Sequence, residues 1–302
     1  MYLERTPIEE VPAARLAGEL LRCGGSPAVE RFCDNDGGYK RKYNVYKITA
    51  DGKPFVLKKS DEGEIAIYRD FLQGKGFGVP EYFGSVEQEG AVWLLMEYIS
   101  GPDLRKFTGE MAAACAETLA QIQNACWNSS IADGRFRRYW ERVNRRAECL
   151  KDYPELAEAY RLFLERQKDC PRTLCSGDFL PCNGLMRDGR AYMIDWGFGG
   201  IMPYALDAAR LIAHGSEKPE PYAFPFYMDA ELRSAFVRAY YERLECRPDW
   251  EQYIRDVKLA ALNEYVEFLE VLVNDPEISR EEIEDNFYYR RARETAANIL
   301  HE

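Results

Sequence analysis

The apolar pattern changes period near residue 103, and that change limits what this chain can fold into. Before it, residues 43–49 (YNVYKIT) and 54–58 (PFVLK) alternate and are rich in aromatic and β-branched residues, with Asp51-Gly52 between them. Alternation across an Asp-Gly pair predicts a hairpin. Residues 82–86 and 91–99 read as two more strands, and residues 29–34 as the first of the set. Ile65, Tyr68 and Leu72 share one face of a helix over 62–73, and Ile8, Val11, Leu16, Leu20 and Leu21 share one over 8–22. After residue 103 helical spacing dominates, over about 108–127, 135–150 and 155–168, with a strand-and-loop island near 173–197 and a helix at 206–213. The expectation is an α+β bilobal fold. It has a small five-stranded antiparallel lobe at 1–99, a larger mainly helical lobe at 100–302, and a cleft between them.

Composition removes several chemistries. Two histidines, His214 and His301, allow no HExxH zinc site, and a Ser-His-Asp or Cys-His triad would have to use His214 at a helix end. The nine cysteines include no CxxC pair, which predicts reduced thiols rather than zinc or a disulfide framework. No apolar run is long enough for a membrane span and the N-terminus lacks a signal core, so a cytoplasmic protein is expected. The net charge is −11, and residues 197–302 hold 12 basic and 21 acidic residues. Such a region repels nucleic acid and attracts a small cation. The arginines at 135, 137, 138, 142, 145 and 146 fall on more than one helix face and read as ion-paired, not as a nucleic-acid surface.

The island carries the chemistry. It reads S-G-D-F-L-P-C-N from Ser176, then a turn at Arg187-Asp188-Gly189-Arg190, then a strand ending in Ile194-Asp195-Trp196-Gly197. An aspartate on a loop can orient a hydroxyl and take its proton, while an amide oxygen and a carboxylate are hard ligands suited to Mg²⁺. Asp178, Asn183 and Asp195 are the candidates, with Gly197 expected to let the chain turn behind Asp195.

These segments resemble the catalytic and metal-binding loops of the aminoglycoside phosphotransferase and choline kinase superfamily. The usual pattern there is H-G-D-x-x-x-x-N followed by a hydrophobic-I-D-W/F segment. The resemblance covers roughly residues 30–215 and implies a protein-kinase-like fold. It implies an ATP-dependent enzyme, with GTP as the other nucleotide, that uses Mg²⁺ to phosphorylate a hydroxyl of a small molecule such as an aminoglycoside, an amino sugar or a choline-like alcohol. The acidic C-terminal third favours a cationic acceptor, and no nucleic-acid or membrane partner is expected. By this resemblance Asp178 is the catalytic residue and Asn183 and Asp195 hold the metal. Lys58 contacts the α/β-phosphates, Glu64 pairs with Lys58, and the Glu97 carbonyl and Ile99 amide take the adenine edge. Gly37 and Gly38 fall in the phosphate-covering loop. Lys59 and Glu62 are the register rivals of Lys58 and Glu64. Asp207 supports the loop from a helix start, and Glu264, Tyr265, Glu267 and Phe268 are candidate acceptor-pocket residues. Ser176 departs from the usual histidine, and Leu180 and Cys182 depart from residues that are often histidine and glycine. The alternatives are a pseudokinase binding module and AMP transfer on the same fold.

Overall fold

Strand-forming residues between Ala28 and Glu97 build most of one antiparallel sheet, with the first Asp-Gly turn at its centre. The computed structural model describes residues 2–11, 13–36, 39–129, 134–221 and 223–301. The chain divides into two compact units, Met1–Ser100 and Gly101–Glu302.

In the first unit the strands are β1 (Tyr2–Arg5), β2 (Ala28–Asp36), β3 (Tyr39–Ala50), β4 (Lys53–Ser60), β5 (Tyr82–Gln88) and β6 (Ala91–Glu97). They lie in the order β1-β2-β3-β4-β6-β5 with every neighbour antiparallel. The sheet therefore has six strands where the sequence suggested five. The extra edge strand is four residues long, too short for alternation to mark it, and Glu4 in it pairs with Lys40 at 2.7 Å. The opening helix is also shorter than its apolar pattern. A 3₁₀ turn, Ile8–Glu10, precedes α1 (Ala13–Leu20). Ala13, Ala14 and Ala17 let α1 approach the sheet closely, and they share a core with Val29, Ile48, Leu57 and Leu95. α2 (Glu62–Ile67) starts at Asp61, whose carboxylate accepts the Glu64 N–H at 2.8 Å, and runs into a π turn, Tyr68–Leu72.

The second unit is mainly helical: α3 (Gly109–Ala125), α4 (Gly134–Arg146), α5 (Pro154–Arg166), α6 (Leu206–Ala213), α7 (Ala230–Arg243), α8 (Trp250–Val273), α9 (Arg280–Asp285) and α10 (Phe287–Leu300). The long α8 packs against α4, α5, α6, α9 and α10. Between α5 and α6 the island forms two small sheets. β7 (Arg172–Cys175) pairs with β10 (Gly200–Pro203), and β8 (Gly184–Arg187) pairs with β9 (Arg190–Met193). Asp188 and Gly189 turn the second hairpin with φ of 52° and 76°, the left-handed pair that a two-residue loop requires. All nine cysteines are unpaired thiols. Among the described residues no helix is long and apolar enough to cross a membrane.

Candidate active site

The first unit supplies an ordered lysine. In β4, Leu57 faces the α1 core, so alternation turns Lys58 to the opposite face, where it stands across from Val45 and Leu94. Its Nζ donates to Glu64 Oε1 at 2.8 Å, while Ser60 Oγ donates to Glu64 Oε2 at 2.6 Å. Glu64 is 2% exposed, so its charge is held by a cation, a hydroxyl and the capped helix turn that carries it. Lys59 and Glu62, the register rivals, are exposed. Glu97 closes β6 opposite Phe55, its N–H donates to the Glu81 carbonyl at 2.8 Å, and Ile99 follows as a buried residue. Gly37 and Gly38 lie outside the described residues.

The second unit brings Asp178, Asn183 and Asp195 onto one loop-and-hairpin assembly. β7 ends at Cys175 and delivers the chain to Ser176. The backbone then folds tightly, with Leu180 N donating to Asp178 O at 2.7 Å and Asn183 N to Leu180 O at 2.8 Å. The Ile194 N–H donates to the Asn183 carbonyl at 2.9 Å, which lays the end of the hairpin beside Asn183 and sets Asp195 one residue on. Trp196, fully buried, anchors the next position. The left-handed residue here is Asp195 itself, with φ of 63°, rather than Gly197. Aspartate tolerates that conformation because its short side chain bonds locally, and Gly197 N lies 3.4 Å from Asp195 Oδ1.

Asp207 ties the loop down from the first turn of α6. It is fully buried and accepts from Ser176 N at 2.7 Å, Gly177 N at 2.9 Å and Ser176 Oγ at 3.2 Å. Burial nonetheless pushes its carboxyl up to about 6, against these hydrogen bonds. Ser176 Oγ in turn accepts from Asp178 N at 3.3 Å, so the serine links Asp207 to the loop. Gly177 has φ of +72°, and a Cβ there would stand 2.5 Å from the Phe198 carbonyl oxygen.

Asp178 is half-buried among polar groups, its side chain 15% exposed. Asn183 Nδ2 donates to its Oδ2 at 2.9 Å and to its carbonyl at 2.8 Å. Arg210 donates to its Oδ1 from Nε at 3.1 Å and from Nη2 at 2.8 Å. Burial raises the Asp178 carboxyl above the usual carboxylate range. Arg210 opposes that rise, and the Asp195 and Glu264 carboxylates add to it.

Arg210 was not singled out from the sequence, yet it is the hub. Its Nη1 also donates to Glu264 Oε2 at 2.5 Å and Glu267 Oε2 at 3.1 Å. Arg146, 2% exposed, engages Glu267 at 2.7 Å, Glu270 at 3.3 Å and the Asn263 amide oxygen at 3.0 Å. The signal was present in outline: Glu264 and Glu267 sit three apart on one face of α8, and acids gathered beside Asp178 need a cation. A cavity of about 40 Å³ opens here, lined by Arg142, Arg146, Asp178, Arg210, Glu264 and Glu267 among others. Of the other pocket candidates, Tyr265 stacks under Arg291, and Phe268 packs against His214, Phe224 and Tyr288; neither lines this cavity.

The donor set fits a hard divalent ion. With Nδ2 turned to Asp178, Asn183 has its amide oxygen as an acceptor, and Asp195 supplies a carboxylate one residue beyond the Ile194–Asn183 bond. Among the described residues no cluster of three or more His, Cys, Asp or Glu could hold a metal ion by itself. A site of one amide and one carboxylate suits an ion that keeps waters and phosphate oxygens as its remaining ligands.

Residues 36–253 match the model of the phosphotransferase enzyme family. No match was found among curated proteins. Solved structures share the fold. A choline/ethanolamine kinase family protein from Mesorhizobium loti aligns with TM-score 0.60 at 17% identity, over 96% of this chain and 99% of its own. An amicoumacin kinase in complex with AMP-PNP, Ca²⁺ and Ami aligns with TM-score 0.59 at 14% identity, over 89% and 88%. An aminoglycoside phosphotransferase from Alicyclobacillus acidocaldarius aligns with TM-score 0.54 at 16% identity, over 89% and 90%. The α+β, kinase-like architecture is thus common to this chain and these kinases.

Proposed function

Because the chain belongs to the phosphotransferase enzyme family, we propose that it moves the γ-phosphoryl group of ATP, or of GTP, to a hydroxyl of a small molecule. The observation that carries this reading is Asp178: a half-buried carboxylate with one oxygen on Arg210 and the other on Asn183, on a loop that Asp207 ties down. In the reaction the acceptor oxygen bonds to the γ-phosphorus, the β–γ bridging bond breaks, and the nucleoside diphosphate leaves. Asp178 orients the hydroxyl and receives its proton, a task helped by a carboxyl raised above its ordinary range. Asn183 and Asp195 would hold Mg²⁺, which when bound neutralises charge on the phosphates.

In the first unit Lys58, steadied by Glu64, would meet the α/β-phosphates, and the Glu97 carbonyl and Ile99 amide would take the adenine edge. Gly37 and Gly38 would cover the phosphates. The unit ending at Ser100 is thus assigned the nucleotide and the unit after it the acceptor and the chemistry. A reducing, ATP-containing cytoplasm suits an enzyme with nine free thiols. The cationic acceptor expected from bulk acidity finds Glu264 and Glu267 already engaged by Arg210 and Arg146, so these two carboxylates offer it little free charge.

The test is nucleotide turnover with purified protein, Mg²⁺ and a panel of small alcohols, the product identified by mass. Transfer of phosphate and a fall of about a thousandfold in kcat for Asp178→Asn are expected. Transfer of AMP, or equal turnover by the variant, would refute the reading. Nucleotide binding without turnover would make the protein a pseudokinase.

A further inference from the structure

The charged groups at the cavity are matched with one exception. Asp178, Glu264 and Glu267 are each held by Arg210, and Glu267 is also held by Arg146. Arg142, one helical turn before Arg146 on α4, lines the same cavity. Its Nε is buried without a hydrogen-bond partner, and among the described residues no carboxylate, carbonyl or aromatic ring engages its guanidinium. A half-buried guanidinium left unpaired is costly, and a planar fork of donors is shaped to receive a carboxylate or phosphate.

We propose that the cavity beside Asp178 receives an acceptor that carries an anionic group, a carboxylate or a phosphate, close to the hydroxyl to be phosphorylated, and that Arg142 binds that group. This rests on the phosphotransferase reading and deepens it. Asp178 and Arg142 line one small cavity, so the hydroxyl and the anion belong to the same end of the acceptor. A cationic acceptor would gain little there, because the acids are spoken for, and would be repelled by Arg142.

The experiment compares glycerate, glycerol phosphate, glycerol and ethanolamine as acceptors and as ligands, by kinetics and by calorimetry without nucleotide, in wild type, Arg142→Gln and Arg138→Gln. Arg138 is exposed on α4 and serves as the control. Expected is tighter binding of an anionic member, by about tenfold or more over glycerol, a preference that Arg142→Gln removes and Arg138→Gln keeps. Glycerate and glycerol phosphate separate the two anion types. Preference for ethanolamine, no preference for either anion, or a preference unchanged in a folded Arg142→Gln would overturn the proposal. Acceptor-independent nucleotide hydrolysis, compared between wild type and Asp178→Asn in the same preparations, reports on the phosphotransferase reading separately.

Discussion

At the residue scale, Arg210 presents two nitrogens to one oxygen of Asp178 and a third to Glu264 and Glu267. It therefore lowers a carboxyl that burial raises. Replacing it with methionine removes the opposing influence, so the Asp178 carboxyl rises further. A base works deprotonated, so the acid side of the pH–rate profile of Arg210→Met should shift to higher pH. Its kcat at neutral pH should fall by roughly ten- to a hundredfold. Rate measurements from pH 5 to 9 would show this. Gly177→Ala places a methyl against the Phe198 carbonyl in a left-handed residue, and should cost about 2 kcal/mol or more in urea denaturation. The pairing of Lys58 with Glu64 was an implication of the family resemblance, with Lys59 and Glu62 left as rivals. Arg142 was not legible, since six arginines on one helix look alike until packing brings two of them, Arg142 and Arg146, to line the cavity.

At the element scale, caps and turns do the placing. Asp61 starts α2 by accepting the Glu64 N–H, so the residue that begins the helix also fixes the partner of Lys58. Asp61→Ala should cost about 1 kcal/mol of stability. It should also raise KM for nucleotide more than KM for the acceptor, as initial-rate kinetics would reveal. The hairpin β8–β9 was readable from Arg187-Asp188-Gly189-Arg190, and the helix at 206–213 from its spacing. Strand β1 was not: its order comes from pairing with β2, a contact distant in sequence. The apolar face over 8–22 gave one helix where Pro7 and the 3₁₀ turn after it delay the start of α1 to Ala13.

For the whole molecule, two buried groups give stability opposite dependences on pH. His214 is fully buried among Phe224, Phe268 and Tyr288, and burial lowers its pKa. Its folded value lies below the unfolded one, so the unfolded state takes the proton first and the contribution of His214 is lost as pH falls below about 6.5. Asp207 works the other way. With a folded value of about 6 against 3.8, the folded state binds the extra proton, so stability falls as pH rises from about 4 to about 6, by roughly 3 kcal/mol. The two slopes partly cancel. Chemical denaturation between pH 4.5 and 7, limits set to span roughly these windows, should show His214→Phe losing stability as pH rises and Asp207→Asn gaining it. The division of the sequence into a strand-rich and a helix-rich part was visible in its periodicity. The interior charge balance of the second unit was not, because residues 178, 210, 264 and 267 meet only through tertiary packing.

The loop bearing Asp178 is bound to α6 and α8 through Arg210 and Asp207, whereas Arg142 stands on α4 with no hydrogen-bond or ion-pair partner among the described residues. Changes at the first set disturb several groups together and will be strongly epistatic. Changes at the second alter one contact. A descendant of this chain can therefore exchange its acceptor through single substitutions on α4 while inheriting the reaction centre intact, an arrangement that favours divergence in substrate over divergence in chemistry.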